Sequence, residues 1–99
     1  MATIITRLYA DEATANAVAA DLKADPVHGY RSTTITDTAA LDDAGIGEDR
    51  ATAYRPLVEK GNALLVVEAL LGQARSAIEI VDGHTAIDAG VGNENAYVP

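Results

Sequence analysis

The chain has 99 residues, which suits one compact domain, and 48% of them are hydrophobic, enough to build a core. Its net charge of −8 repels nucleic-acid phosphates and anionic lipid, so we expect no nucleic-acid partner. The absence of cysteine excludes disulfides, thiolate nucleophiles and cysteine-ligated zinc.

The opening segment MATIITRLYA lacks the basic start and the long apolar stretch of a secretory signal. The longest apolar run, Ala63 to Val67, is much shorter than the roughly 20 residues that a membrane-spanning helix needs. We therefore expect a cytoplasmic protein that does not insert directly into a membrane.

The first part of the chain reads as strand, helix, strand. Thr3 to Tyr9 is rich in β-branched and aromatic residues, which favours a strand. Asp11 can cap a helix whose apolar residues recur at helical spacing and which should end near Asp25, before a proline. The apolar positions are Ala15, Val18, Ala19 and Leu22. Ser32 to Thr36 then reads as a short β-branched strand.

The middle of the chain begins with an acidic, glycine-containing segment, Asp37 to Asp49, which we predict to be an exposed loop. Glu48 to Lys60 has helical spacing, although Pro56 inside it would either kink the helix or restart it with the proline at its first position. Gly61 and the following asparagine supply a stop. The unbroken apolar run Ala63 to Val67 predicts a central strand that is buried on both faces.

The last part repeats the helix–strand pattern. Gln73 to Val81 carries apolar residues at the spacing seen in the first helix, and the short segment Thr85 to Ala89 predicts a final strand. Residues 1–89 thus form one predicted domain, and residues 90–99 a polar C-terminal tail. The element order predicts an α+β, ferredoxin-like βαβ(α)βαβ sandwich with a four-stranded antiparallel sheet. Its helices would lie on one face, with an extra helix between strands 2 and 3.

Several segments resemble the bacterial general stress protein family, the heat-induced stress protein (YflT-like) domain. The resemblance rests on the segment YADEATANAVAADL and on Gly45 to Asp49 with Tyr54. It continues in the segment from Val58 to Val67 and in a last group of matching positions, Ala77, Ile78, Val81, His84, Ile87 and Asp88. Pro56 and Asn62 depart from the family pattern. The resemblance implies a stress-response context and no particular reaction.

Catalytic and metal-binding patterns are sparse in this sequence. His84 with Asp82 or Asp88 could form a general acid/base pair, as in an enzyme of the dimeric ferredoxin-like barrel type. His28 and His84 lack the spacing of a metal site, and we interpret the acidic segment as a solvated loop with helix-start acids. We predict no catalytic residue, no metal site and no cofactor.

The interaction candidates are two glycines before a helix, one tyrosine and the C-terminal residues: Gly45, Gly47, Tyr54, Tyr97, Val98 and Pro99. An open sheet face, a free sheet edge or the tail could dock a partner. The sequence therefore predicts a non-catalytic interaction module that self-associates, as a dimer, or binds a larger complex. The alternative is a small-ligand-sensing domain that binds its ligand at a sheet edge or dimer interface, with Gly29 and the Gly45–Gly47 loop as backbone contacts.

Overall fold

The computed structural model describes residues 2–25, 29–70, 72–86 and 96–98. Its elements are β1 (Ala2–Tyr9), α1 (Glu12–Ala24), β2 (Tyr30–Ile35), a 3₁₀ helix (Thr38–Asp43), α2 (Glu48–Glu59), β3 (Ala63–Leu70), α3 (Ala74–Val81) and β4 (Ala96–Val98). The predicted α+β class is confirmed.

Three strands of six to eight residues form the antiparallel sheet, in the order β2-β3-β1. Within it, Ile5 pairs with Val67 on β3, and Thr33 of β2 pairs with Val66. The three-residue β4 pairs antiparallel with the first residues of β1, Ala2 to Ile4. β3 is therefore central, as its apolar run predicts.

The fourth strand was predicted at Thr85 to Ala89. Its first two residues, Thr85 and Ala86, are in neither a helix nor a strand. The rest of that segment lies outside the described residues. β4 instead falls within the segment predicted as a polar tail. The three-residue β4 is held by its pairing with β1. No local sequence pattern predicts such a short strand.

Helices cover both faces of the sheet, so the prediction of helices on one face is wrong. Face A, packed by α1 and α3, is centred on Ile5, Leu65 and Val67. Face B, packed by the 3₁₀ helix and α2, is centred on Leu8 and Leu64. Because β1 and β3 are apolar on both sides, each face needs its own cover.

The helix ends follow local chemistry. The Asp11 carboxylate accepts a 2.8 Å hydrogen bond from the Thr14 backbone N–H and caps α1. That bond is also the main reason why the pKa of Asp11 is lowered. α2 runs through Pro56 without interruption, so the predicted restart at this residue is wrong. The chain then turns at Gly61, whose φ of +107° suits glycine.

The acidic segment is more ordered than the predicted loop. Asp37 caps the 3₁₀ helix by accepting a 3.0 Å bond from the Ala39 backbone N–H, and the helix buries Leu41 against face B. Arg55 of α2 then reaches back to Asp42 at 2.9 Å. The apolar Leu41, which lies among the acidic residues, packs this segment onto the sheet.

Candidate functional site

On the β1 side of the sheet, buried polar side chains of β1 fasten the sheet to the helices. The Tyr9 hydroxyl donates to the Val81 carbonyl oxygen at 2.9 Å, and Arg7 Nε donates to Asp82 Oδ1 at the same distance. Both contacts join β1 to the C-terminal end of α3. Burial raises the pKa of Tyr9 to about 12; Asp82 adds to the rise, while Arg7 opposes it.

Tyr54, one of the predicted interaction residues, belongs to this interior. Its side chain is fully buried, and its hydroxyl lies 2.9 Å from Thr6 Oγ1 in the middle of β1. Arg50 Nη1 also donates to Thr6 Oγ1, at 3.4 Å. The aromatic ring fills face B and the hydroxyl fastens α2 to the sheet, so this side chain does not reach an outside partner.

Gly45 and Gly47 lie where sequence reasoning placed them, in the loop before α2. Both have positive φ, +72° and +89°, which glycine adopts without strain. They bound a hollow of about 250 Å³ whose other lining residues are Leu41, Asp42, Glu48 and Ala51. The two carboxylates on its rim disfavour a phosphate or another anion there.

The C-terminal candidates lie at the β1 edge. Tyr97 pairs through the backbone with Thr3, and Val98 with Ala2. Pro99 lies outside the described residues. The backbone of this segment is thus used within the chain, as an added strand.

The histidine–aspartate pairs suggested for catalysis are not brought together among the described residues. His84 Nε2 lies 2.6 Å from Asp21 Oδ2 on α1, while Asp82 is engaged by Arg7. Asp88 and His28 lie outside the described residues. Within residues 2–25, 29–70, 72–86 and 96–98, no group of three or more His, Cys, Asp or Glu side chains could hold a metal ion.

The β2 side of the sheet differs from the β1 side, where polar groups are used within the chain. The sequence patterns did not indicate a site at β2. Among the described residues β2 pairs only with β3, so its other edge is free. Three consecutive residues, Arg31, Ser32 and Thr33, are exposed. A strand that is exposed on both faces is typical of a sheet edge. The sequence alone does not show that β2 is at the edge, because it does not contain the strand order.

A hollow reaches β2 on each face of the sheet. On face A, a hollow of about 440 Å³ lies between α1 and β2, lined by Asn16, Ala19, Ala20, Leu22, Lys23, Tyr30 and Ser32. On face B, a hollow of about 180 Å³ is lined by Ile4, Arg31, Thr33, Ala44, Val66 and Glu68. An extended chain added to β2 would place alternate side chains over these two hollows.

Tyr30 stands at the start of this edge. Its hydroxyl donates to Asp25 Oδ2 at 3.1 Å, next to the end of α1. The pKa of Tyr30 is raised, first by burial and then by the hydrogen bond to the Asp25 carboxylate. This contact fixes the end of α1 against the first residue of β2.

Comparison with known families decides the relationship of this chain. The model of the PucE light-harvesting protein-like family matches residues 27–99, more than half of the sequence. The chain belongs to this family. The matched segment begins just before β2 and includes α2, β3, α3 and β4. No curated protein and no solved structure matches the chain.

Family membership corrects the resemblance to the general stress proteins, which is wrong together with the stress-response context that it implied. The residues that carried it serve local structure. Gly47 and the acids after it begin α2, Gly61 ends the turn after that helix, and the apolar run that follows is β3. Such features recur in unrelated folds, so they do not identify a family.

None of the helices in the described part of the chain is long and apolar enough to cross a membrane.

Proposed function

We propose that this protein is a non-catalytic interaction module that self-associates or docks on a larger complex, in a light-harvesting context. The free edge of β2, with a hollow on each face beside it, is the observation that carries the proposal. The match to a light-harvesting protein-like family supports the context, because light harvesting is a task of larger assemblies. A cytoplasmic location is part of the same proposal.

The proposal extends to the fold. The order β2-β3-β1, with β4 against β1, supports a ferredoxin-like arrangement in which the C-terminal strand occupies the fourth position. α2 and the 3₁₀ helix are then the addition that covers face B. Deleting the four residues from Ala96 should increase amide exchange at Ala2 to Ile4, because β4 pairs with these residues.

Purification of the tagged full chain from its native cells tests the assembly proposal. We expect the chain to co-purify with a pigment-containing complex, seen as pigment absorption in a fraction much heavier than the chain itself. The tag alone is the control. A chain that is recovered pigment-free, and no heavier than an oligomer of itself, would contradict docking in a light-harvesting context.

Small-ligand sensing is the second candidate, because the hollow beside Gly45 and Gly47 offers backbone groups to a small molecule. A thermal-shift screen with neutral and cationic metabolites tests it. A ligand at this hollow should raise the melting temperature, and the rise should be lost in Gly47→Val, which fills the approach and strains a residue at φ +89°. A screen without any rise would remove this candidate.

A further inference from the structure

The strand β2, whose outer edge is unpaired among the described residues, contains no acidic residue, although the chain as a whole is acidic. The strand YRSTTI carries one charge, Arg31, while the chain as a whole has a net charge of −8. Its exposed centre consists of Ser32 and Thr33. Natural sheets protect free edges with charges, prolines or bulges, and this strand has only one arginine for that purpose.

We propose that the occupant of this edge is a second copy of the chain, paired antiparallel with β2 about a two-fold axis at Thr33. This inference rests on the proposed function and names the partner at that surface. In this register Ser32 lies opposite the second copy's Thr34, and Arg31 opposite its Ile35. The side chains of opposed residues in the two copies then lie on the same side of the joined sheet. Hydroxyl-bearing neighbours pair favourably across strands, and no like charges meet.

The helix above β2 fits the same axis. Thr34 Oγ1 donates to Asn16 Oδ1 at 3.0 Å, which places α1 over β2, and α1 also packs on β3. Paired strands lie about 4.8 Å apart. A helix seated between β2 and β3 would therefore lie about 10 Å from its copy, the ordinary distance for packed helices. The side of α1 that would meet its copy carries Ala19 and Ala20, which permit this approach.

The charges on that side of α1 are self-complementary. Glu12 lies one turn before Asn16, and Lys23 lies at the other end of the helix, in the hollow beside Ser32. Glu12 and Lys23 are separated by about 16 Å along the helix, close to the length of β2. A two-fold axis between them brings each Lys23 towards the second copy's Glu12.

The other face offers a second complementary pair. A hollow below Ile35 has Asp43 on its rim. Because Arg31 lies opposite the second copy's Ile35, its guanidinium comes near that copy's Asp43. Glu68, which pairs with Arg31 from β3 on the same face, is the other acid beside this guanidinium. On each face the two-fold axis thus brings a base of one copy towards an acid of the other.

The association of purified full-length protein in about 0.15 M salt tests the proposal, because repulsion between the two acidic copies is screened beyond about 8 Å there. Sedimentation equilibrium should show a monomer–dimer equilibrium. Lys23→Glu should weaken dimerisation at least about tenfold, since it places two acids together. Glu12→Lys combined with Lys23→Glu should restore it. Lys60→Glu, which reverses the only other lysine, should leave it unchanged.

Thr33→Lys is a second variant, since it puts two cations at the axis without touching a buried side chain. Circular dichroism of each variant establishes that the monomer is folded. A monomer at all concentrations up to about 1 mM would overturn the proposal, as would a dimer that tolerates Lys23→Glu or is not restored by the double reversal. These results concern the purified chain alone, so they are separate from its capture of a pigment-containing complex.

Discussion

The two sides of the sheet differ in how they use polar groups. On the β1 side, Arg7, Tyr9 and Thr6 are buried and each fastens a helix to the sheet. On the β2 side, Arg31 and its neighbours point into solvent beside two hollows. Buried polar side chains thus serve the stability of one chain, while the exposed edge is available to another.

The largest expected effect comes from emptying the core on the β1 side. Leu8→Ala removes a fully buried side chain between β1 and α2, and should lower the free energy of unfolding by about 2–5 kcal/mol. Thr33→Ala is the matched strand substitution at the exposed edge, and should change it by less than about 0.5 kcal/mol. Urea unfolding of both variants measures the difference, and equal losses would show that the two sides of the sheet contribute alike to stability.

The contact between Thr6 and Tyr54 should have an intermediate effect. Tyr54→Phe removes the hydroxyl that lies 2.9 Å from Thr6 Oγ1, at a cost of about 1–2 kcal/mol in the free energy of unfolding. A double-mutant cycle with Thr6→Val isolates the part that belongs to the pair. If the two substitutions are additive, the hydroxyl pair does not fasten α2 to the sheet.

The buried Tyr9 should make stability fall at high pH. Its pKa in the folded protein is about 12, above the unperturbed value of about 10, so the unfolded chain loses the proton first as the pH rises. The stability held below pH 10 is therefore lost between about pH 10 and 12. Melting temperatures across this range should fall more steeply for the wild type than for Tyr9→Phe. Parallel curves would refute this assignment.

The smallest expected effect is at the exposed pair of His84 and Asp21. Asp21→Asn should change the free energy of unfolding by less than about 1 kcal/mol, because both partners are solvent-accessible. Arg7→Met is the matched comparison and should cost more, because the Arg7 side chain is buried, although its partner Asp82 is about half exposed, and because Arg7 also donates to the Thr6 carbonyl. Chemical denaturation of the two variants ranks them, and the reverse order would contradict the account.

Local sequence patterns predicted the strands and helices whose residues repeat regularly. Asp11 as a cap, the end of α1 just before Asp25 and the central position of β3 all follow from such patterns. The prediction ended β3 at Val67, because Glu68 breaks the apolar run. The strand continues to Leu70, since the backbone of Glu68 still pairs with Arg31. Backbone pairing does not depend on the side chain that ended the prediction.

The remaining features depend on long-range arrangement. The periodicity of α2 shows that Tyr54 is on its apolar side, but not which face of the sheet that side meets. The same limit applies to the interaction residues, since Tyr54 proved to be interior and the exposed Arg31, Ser32 and Thr33 were not singled out. Whether a strand lies at an edge follows from strand order, which local patterns do not contain.

The most direct test of the account is hydrogen exchange of the purified protein at several concentrations. If β2 is the shared edge, exchange at those backbone amides of Arg31 to Thr34 that point away from β3 should slow as the concentration passes the dimerisation midpoint, while exchange in α2 and α3 stays unchanged. Lys23→Glu should remove the concentration dependence. Exchange in β2 that is independent of concentration, or protection that appears instead on the β1 side, would contradict the account.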